Sequence, residues 1–383
     1  MDKTTLHDIL AAEIASELDQ IGARACCSAA QAIVWQRGTL VFDEALGHID
    51  LSSPSAALIT ASTPMDIASV TKALVTATLA MQAVDEGLVD WDTPLSRLVE
   101  RWQPGDARAA SATLLHLLNH SSGLPAWVKF YERFPLDPDA EGARATHAAV
   151  IAEIAATPLV AAPGQHYAYS DLGYILLGHI LEQVFSAPLD RLARARIFSP
   201  LGMAQSGFVS TLAGDRALLG AAATERCALR GRLIVGTVHD ENTNIQGGVA
   251  GHAGVFSTAQ DLLRFATHLL AIDHGERPER ALVSAETLAF CWSEAARGAD
   301  GSHLGGWDTP SGASSSAGRG FSAGRSVGHL GFTGSSLWIE RDSATIAVLL
   351  TNRVYPTRQN ERIKALRIAF HEAILAPAPS FCI

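Results

Sequence analysis

The sequence predicts an α+β fold: an antiparallel sheet assembled from both chain ends, flanked by helices, with a mainly helical lobe inserted between. Three observations predict it. Paired β-branched and aromatic runs around tight-turn residues sit near the two ends. The long middle of the chain carries helical apolar periodicity cut by Gly/Pro loops. A chain of 383 residues is also long for one core, so two lobes are expected. The expected division is a sheet domain from 1–95 and 291–383, a helical domain from 96–290, and a functional site at their junction. There is no internal repeat.

The elements follow in order. Leu6, Ile9, Leu10, Ile14, Leu18 and Ile21 mark one side of an N-terminal amphipathic helix. Ala32–Trp35 and Thr39–Phe42 flank Arg37-Gly38 and read as a hairpin over 30–48. Residues 69–86 are apolar almost all round, as in a buried helix, and Gly87 is a plausible stop. Helical patterns follow at Ala112–Asn119, Ala145–Ala156, Leu172–Phe185 and Ala259–Ile272. Residues 296–326, rich in Gly, Ser and Ala, read as a loop or weakly ordered excursion. Strand signals return at Ser335–Ile339 and Thr345–Leu350, before a helix from about Arg358 to Ile374.

Composition narrows the function. The formal net charge is −10, which disfavours nucleic acid and anionic membrane as partners. No apolar run approaches the ~20 residues of a membrane span. Met1-Asp2-Lys3, followed by Asp8, Glu13, Glu17 and Asp19, lacks the order of a signal peptide. The expectation is a cytoplasmic protein, periplasmic only if an export segment has been removed. The 5 cysteines (Cys26, Cys27, Cys227, Cys291 and Cys382) are odd in number and include no Cys-x-x-Cys. Free thiols are expected, with no disulfide framework, zinc site or cofactor. Oligomeric state leaves no sequence signature.

The chemistry centres on Ser69-Val70-Thr71-Lys72. On a helix, positions three apart share a face, so the amine lies beside the hydroxyl. A serine hydroxyl needs a base, and a lysine held neutral by burial can be one. Lysine is rare here, 4 residues within a Lys+Arg total of 29, and arginine could not do the same work. Tyr169-Ser170-Asp171 and His329-Leu330-Gly331 follow, the latter just before a strand signal.

At these three motifs the chain resembles the serine β-lactamase and penicillin-binding-protein superfamily. More narrowly it is similar to the class C β-lactamase-related branch, with its family VIII-type esterases and D-amino-acid peptidases. Leu117-Leu118-Asn119-His120-Ser121-Ser122-Gly123-Leu124-Pro125, Gly173–Gly178, Pro200–Met203 and Gly251–Ser257 extend the likeness over about 25–375. The resemblance implies the β-lactamase/transpeptidase-like fold. It implies Ser69 as nucleophile, Lys72 as base, Tyr169 sharing that role, and His329 as a further catalytic group. It also implies an oxyanion site at the Ser69 and Phe332 N–H groups, with Gly331 allowing close approach. Asp171, His120 and Trp127 join the expected substrate-binding set.

Other residues read more simply. His116 and His120, four apart, lack the Glu of His-Glu-x-x-His and are expected to hold the loop at Ser121-Ser122-Gly123 rather than a metal. His239-Asp240-Glu241-Asn242 is expected to order a loop near the cleft. The glycines at 247, 248, 251 and 254 lack a following Gly-Lys, so they make no phosphate loop. Trp127 and Trp307 either line the cleft or only pack.

Three departures from the family pattern bear on substrate. Asp171 replaces the usual Asn and only accepts hydrogen bonds. It favours a protonated Lys72 or a substrate ammonium. His329 replaces the lysine of the β-lactamase form, and Leu330 its threonine. The expected substrate is therefore a small ester or related acyl compound, with weak or no β-lactam hydrolysis. The alternatives are a D-amino-acid peptidase or DD-carboxypeptidase, and a non-catalytic scaffold of the same fold. If His329 must be neutral to bond the Tyr169 hydroxyl, activity should rise through the histidine range, near pH 6.5.

Overall fold

The computed structural model describes residues 2–375 except 53–56, 101, 103–106, 216 and 313–314. Cys382 lies outside the described residues. The hairpin forms where alternation and turn chemistry predict it. β1 (Ala29–Gln36) and β2 (Thr39–Gly47) meet at Arg37 and Gly38, both with positive φ, as a two-residue hairpin turn requires. Five further strands complete the sheet: β3 (His303–Leu304), β4 (Trp307–Asp308), β5 (Ser326–Leu330), β6 (Ser336–Glu340) and β7 (Thr345–Thr351). The order is β2-β1-β7-β6-β5-β4-β3, with every pair antiparallel. β1 meets β7 from Ala30↔Thr351 to Gln36↔Thr345, joining strands from the two chain ends within the sheet.

Both faces of the central strands are buried, so they read as continuous apolar runs. Ile33, Ile346, Val348 and Leu350 face the larger core, with Leu262, Phe265 and Leu269. Ala32, Val34, Ala347 and Leu349 face the second core, with Leu6, Leu10, Leu366 and Phe370. The helix Ala259–Asp273 packs on β1 and β7. It therefore belongs with the sheet layer, although the expected boundary put it in the helical lobe.

Three expectations need correction. The first helix ends at Ala11, followed only by a short turn at Leu18–Gln20. Cys26 N–H donates to the Glu13 carbonyl (2.8 Å), and Ala15 N–H to that of Cys27 (2.8 Å), which pulls the chain off the helical path. The last helix starts at Ile363, not near Arg358. The carbonyls of Arg358 and Asn360 accept from Arg353 Nη1 (3.0 and 3.1 Å), so they are taken before a helix can use them. The 296–326 excursion is largely built structure, for it supplies β3 and β4. Its Gly305-Gly306 pair turns the chain at positive φ, and a Cβ on Gly306 would meet Ala77 Cβ at 2.7 Å. Glycine there serves close approach, not looseness. Cys26, Cys27, Cys227 and Cys291 are buried free thiols.

Candidate active site

The nucleophile helix runs over 70–85, with Lys72–Ala77 in the wider π form and Gly87 at its end in the left-handed region. π segments in helices are frequent at functional sites. Ser69 is half-buried just before the first turn. The residue before it, Ala68, has φ 47°, a conformation costly for a non-glycine. Buried Asp66 holds it there, with Oδ1 accepting from Ala68 N–H (2.9 Å) and Oδ2 from His239 N–H (2.7 Å).

Lys72 is fully buried. Its Nζ donates to Ser69 Oγ (2.9 Å) and to the His252 carbonyl (3.0 Å), and lies 2.8 Å from Asp171 Oδ1. Burial pulls the ammonium's pKa down, but the Asp171 carboxylate and the Tyr169 hydroxyl outweigh it and leave Lys72 raised. Of the two opposing expectations, burial holding Lys72 neutral and Asp171 favouring its protonated form, the raised pKa goes with the second. The Tyr169 hydroxyl is in hydrogen-bonding reach of Ser69 and Lys72, and burial raises it against the pull of the ammonium.

Asp171 and Tyr169 are placed by the start of the helix Asp171–Phe185, which Ser170 caps through Gly173 N–H. His120 sets this loop. Its φ is 55°, its carbonyl accepts from Ala168 N–H (2.9 Å), and its Nδ1 accepts from Ser170 N–H (2.9 Å). His116 instead bonds Thr113 through Nδ1. His120 is buried under Tyr169, ring centroids 4.3 Å apart. It positions the loop and does not line the cleft.

His329 lies beneath the cleft too. Its Nδ1 donates to the Leu330 carbonyl (2.8 Å), and its Nε2 has no hydrogen-bond partner among the described residues. Its ring is 6.3 Å from that of Tyr169, so the expected bond to the tyrosine hydroxyl is not made. Burial, helped by Lys72, lowers it to about 3. It is neutral throughout pH 5–8, which removes the expected histidine-driven rise near pH 6.5.

Gly331 brings the turn after β5 against the nucleophile. A Cβ there would lie 2.3 Å from the Ile67 carbonyl oxygen. Thr333 Oγ1 adds a bond to the Asp66 carbonyl (2.6 Å). The N–H groups of Ser69 and Phe332 make no backbone hydrogen bond among the described residues, so both are free to donate. The cleft above holds about 530 Å³. Trp127 and Phe332 stand exposed on its rim, whereas Trp307 is fully buried on Phe265 and Trp292. His239, Asp240 and Glu241 border the cleft, whereas Asn242 is buried behind it, bonded to Val128 and Tyr131. Asp240 pairs with His252 (2.9 Å), and Glu241 with Arg358.

Sequence reasoning missed His303 and Tyr167. His303 lies in β3, with its ring 4.7 Å from that of His120 and its Nδ1 2.9 Å from the Tyr167 hydroxyl. The signal was present as Leu304 and Trp307 inside a Gly-rich run, an apolar pattern that a solvated loop does not need. It also missed Arg353 and Arg367, two cleft-lining arginines held on backbone carbonyls.

Fold and site together define a serine hydrolase of the β-lactamase/transpeptidase architecture. Residues 14–371 match the family described as Beta-lactamase, and the chain belongs to that family. A curated relative from Escherichia coli (strain K12), described as "Putative D-alanyl-D-alanine carboxypeptidase", is 30% identical over 315 residues, 77% of this chain and 70% of the relative. Among solved structures, EstCE1, a hydrolase with promiscuous acyltransferase activity, superposes with a TM-score of 0.69 at 19% identity, over 96% of this chain and 99% of that one. Simvastatin synthase (LovD) from Aspergillus terreus does so with a TM-score of 0.68 at 20% identity, over 98% of each chain. At those identities the two structures speak for the fold.

Proposed function

We propose that the chain hydrolyses small neutral esters or related acyl compounds through an acyl-enzyme on Ser69, with little or no action on β-lactams. The observation that carries this reading is the Ser69–Lys72–Asp171 contact set opening into the cleft. In this reading Ser69 Oγ bonds the acyl carbon. Its proton passes to Lys72 Nζ, once that amine is neutral, with Tyr169 as relay. The same proton then leaves with the alcohol as the C–O bond breaks. Water repeats the sequence on the acyl-enzyme and frees the acid. The Ser69 and Phe332 N–H groups hold the developing oxyanion, each such donor being worth roughly 3–4 kcal/mol of barrier.

The carboxylates of the cleft are all engaged: Asp171 with Lys72, Asp240 with His252, Glu241 with Arg358 and Glu361 with Lys364. Neutral His329 and apolar Leu330 supply neither the cation nor the hydroxyl of the β-lactamase pattern. The second reading, a D-amino-acid peptidase, draws on the curated relative's description. Against it, Asp171 is spent on Lys72 and Asp240 on His252, so neither is free for a substrate ammonium.

The test is intact mass after a fluorophosphonate, then turnover of short p-nitrophenyl esters, nitrocefin and D-amino-acid amides, on wild type and Ser69→Ala. One adduct and ester turnover, both lost in Ser69→Ala, are expected. Release of D-amino acids without ester turnover would favour the second reading. Neither adduct nor turnover would mean a preserved but silent site.

A further inference from the structure

Away from the cleft, the helices Ala140–Ala156 and Asp171–Phe185 pack side by side. One carries His147. The other carries His179 and Glu182, three residues apart and so on one face. His147 Nε2 lies 3.3 Å from His179 Nδ1 and 3.7 Å from Glu182 Oε2. The three donor atoms are all within 4.8 Å of one another. None of them has a part in the Ser69 chemistry.

The surroundings prepare these atoms as ligands. His147 Nδ1 donates to Gln246 Oε1 (3.0 Å), and the Gln246 amide is itself oriented by donating to the Asn242 carbonyl (2.8 Å). That fixes the imidazole proton on Nδ1 and leaves Nε2 with a lone pair facing His179. A histidine held through its far nitrogen is the usual support of a metal-bound imidazole. Glu182 is anchored likewise. Its Oε1 accepts from Leu189 N–H (2.8 Å), leaving Oε2 for the cluster. The cluster opens on a cavity of about 500 Å³.

We propose that His147, His179 and Glu182 form a Zn²⁺ site with three protein ligands and a fourth position open to the cavity. Zinc sits about 2.0–2.2 Å from nitrogen and oxygen ligands in tetrahedral geometry, which sets neighbouring ligand atoms about 3.3–3.5 Å apart. The separations from His147, 3.3 and 3.7 Å, are within a few tenths of an ångström of this, and the third, between His179 and Glu182, lies within 4.8 Å and is closed by side-chain rotation. The bound ion clamps two helices, one of which begins at Asp171.

The test uses untagged, chelator-treated chain, titrated with Zn²⁺ and separately with Co²⁺, with bound metal measured after gel filtration. One Zn²⁺ per chain is expected, with the intense visible bands of four-coordinate Co²⁺. Affinity should fall about 10-fold or more in His179→Ala and in the near-isosteric Glu182→Gln, and also in Gln246→Ala, which removes only the support of His147. Thermal melting without metal checks that each variant folds. No retained metal in wild type, or retention unchanged in both His179→Ala and Glu182→Gln, would overturn the proposal and leave the 3.3 Å contact as a plain imidazole hydrogen bond.

Discussion

Asp171→Asn removes a charge while keeping a side chain of the same shape, and it restores the residue usual in the family. Asp171 Oδ1 lies 2.8 Å from Lys72 Nζ, with the lysine fully buried and the aspartate 21% exposed. Two unit charges at that distance attract by about 1.5 kcal/mol even at the dielectric of water, and by about 6 kcal/mol at an effective dielectric of 20. The smaller figure already corresponds to about one pH unit. The sign follows directly. A neighbouring carboxylate stabilises the ammonium and raises its pKa, so removing it lowers that pKa and enlarges the neutral fraction at any given pH. Only neutral Lys72 can take the Ser69 proton. In wild type, kcat/KM should therefore climb steadily from neutral into alkaline pH. In Asp171→Asn that limb should move down by about one pH unit or more, raising kcat/KM at pH 7–8 by about tenfold or more. The assay is kcat/KM from pH 5 to 10 on p-nitrophenyl esters, under conditions where acylation limits the rate. His329, at about 3, contributes no step in this range. A limb that stays in place, or moves up, in Asp171→Asn would refute Lys72 as the titrating base.

Two further outcomes are expected. Lys72→Arg keeps a cation beside Asp171 but offers no base, so ester turnover should fall by about 10³-fold or more, while melting stays close to wild type; substantial activity would mean that another group accepts the proton. Glu225 is held down to about 2 by bonds from His239 and Arg358, which outweigh the opposing effect of burial. A depressed carboxylate contributes stability that is present above pH 4.5 and lost as pH falls toward 2, here on the order of 3 kcal/mol at most. Glu225→Gln should flatten the acid decline of Tm over that window, and an unchanged decline would show that the pair is not what acid breaks.

Much of the scaffold was legible because its signals are local. Arg37-Gly38 between alternating runs specifies a hairpin, and the apolar stretch ending at Gly87 specifies a buried helix. Ser69 and Lys72 meet because the turn that opens the helix, closed by Lys72 N–H on the Ser69 carbonyl (3.0 Å), makes residues three apart neighbours. The misses also have physical causes. The N-terminal apolar spacing suits a helix through Ile21, but the segment about Ile14 finds a bridge to Cys27 instead. Gly305 and Gly306 resemble loop composition, yet they permit the close packing that sets β3 and β4 on the sheet.

The sequence by itself determined the sheet-and-helix plan, the Ser69–Lys72 pair and the motif set that marks the family, because periodicity, turn chemistry and short spacing act over a few residues. Tertiary structure decided which of two opposing effects on that pair prevails, burial or the Asp171 carboxylate. Tyr169 and Asp171, about a hundred residues away in the chain, reach Lys72 only through folding, and a carboxylate at 2.8 Å with the tyrosine outweighs the burial that pulls the amine's pKa down. It likewise decided that His329 and His120 lie under the cleft rather than in it, and that His303 joins them. Charge in a low-dielectric interior depends on distance through space, and distance through space is what spacing along a chain does not encode.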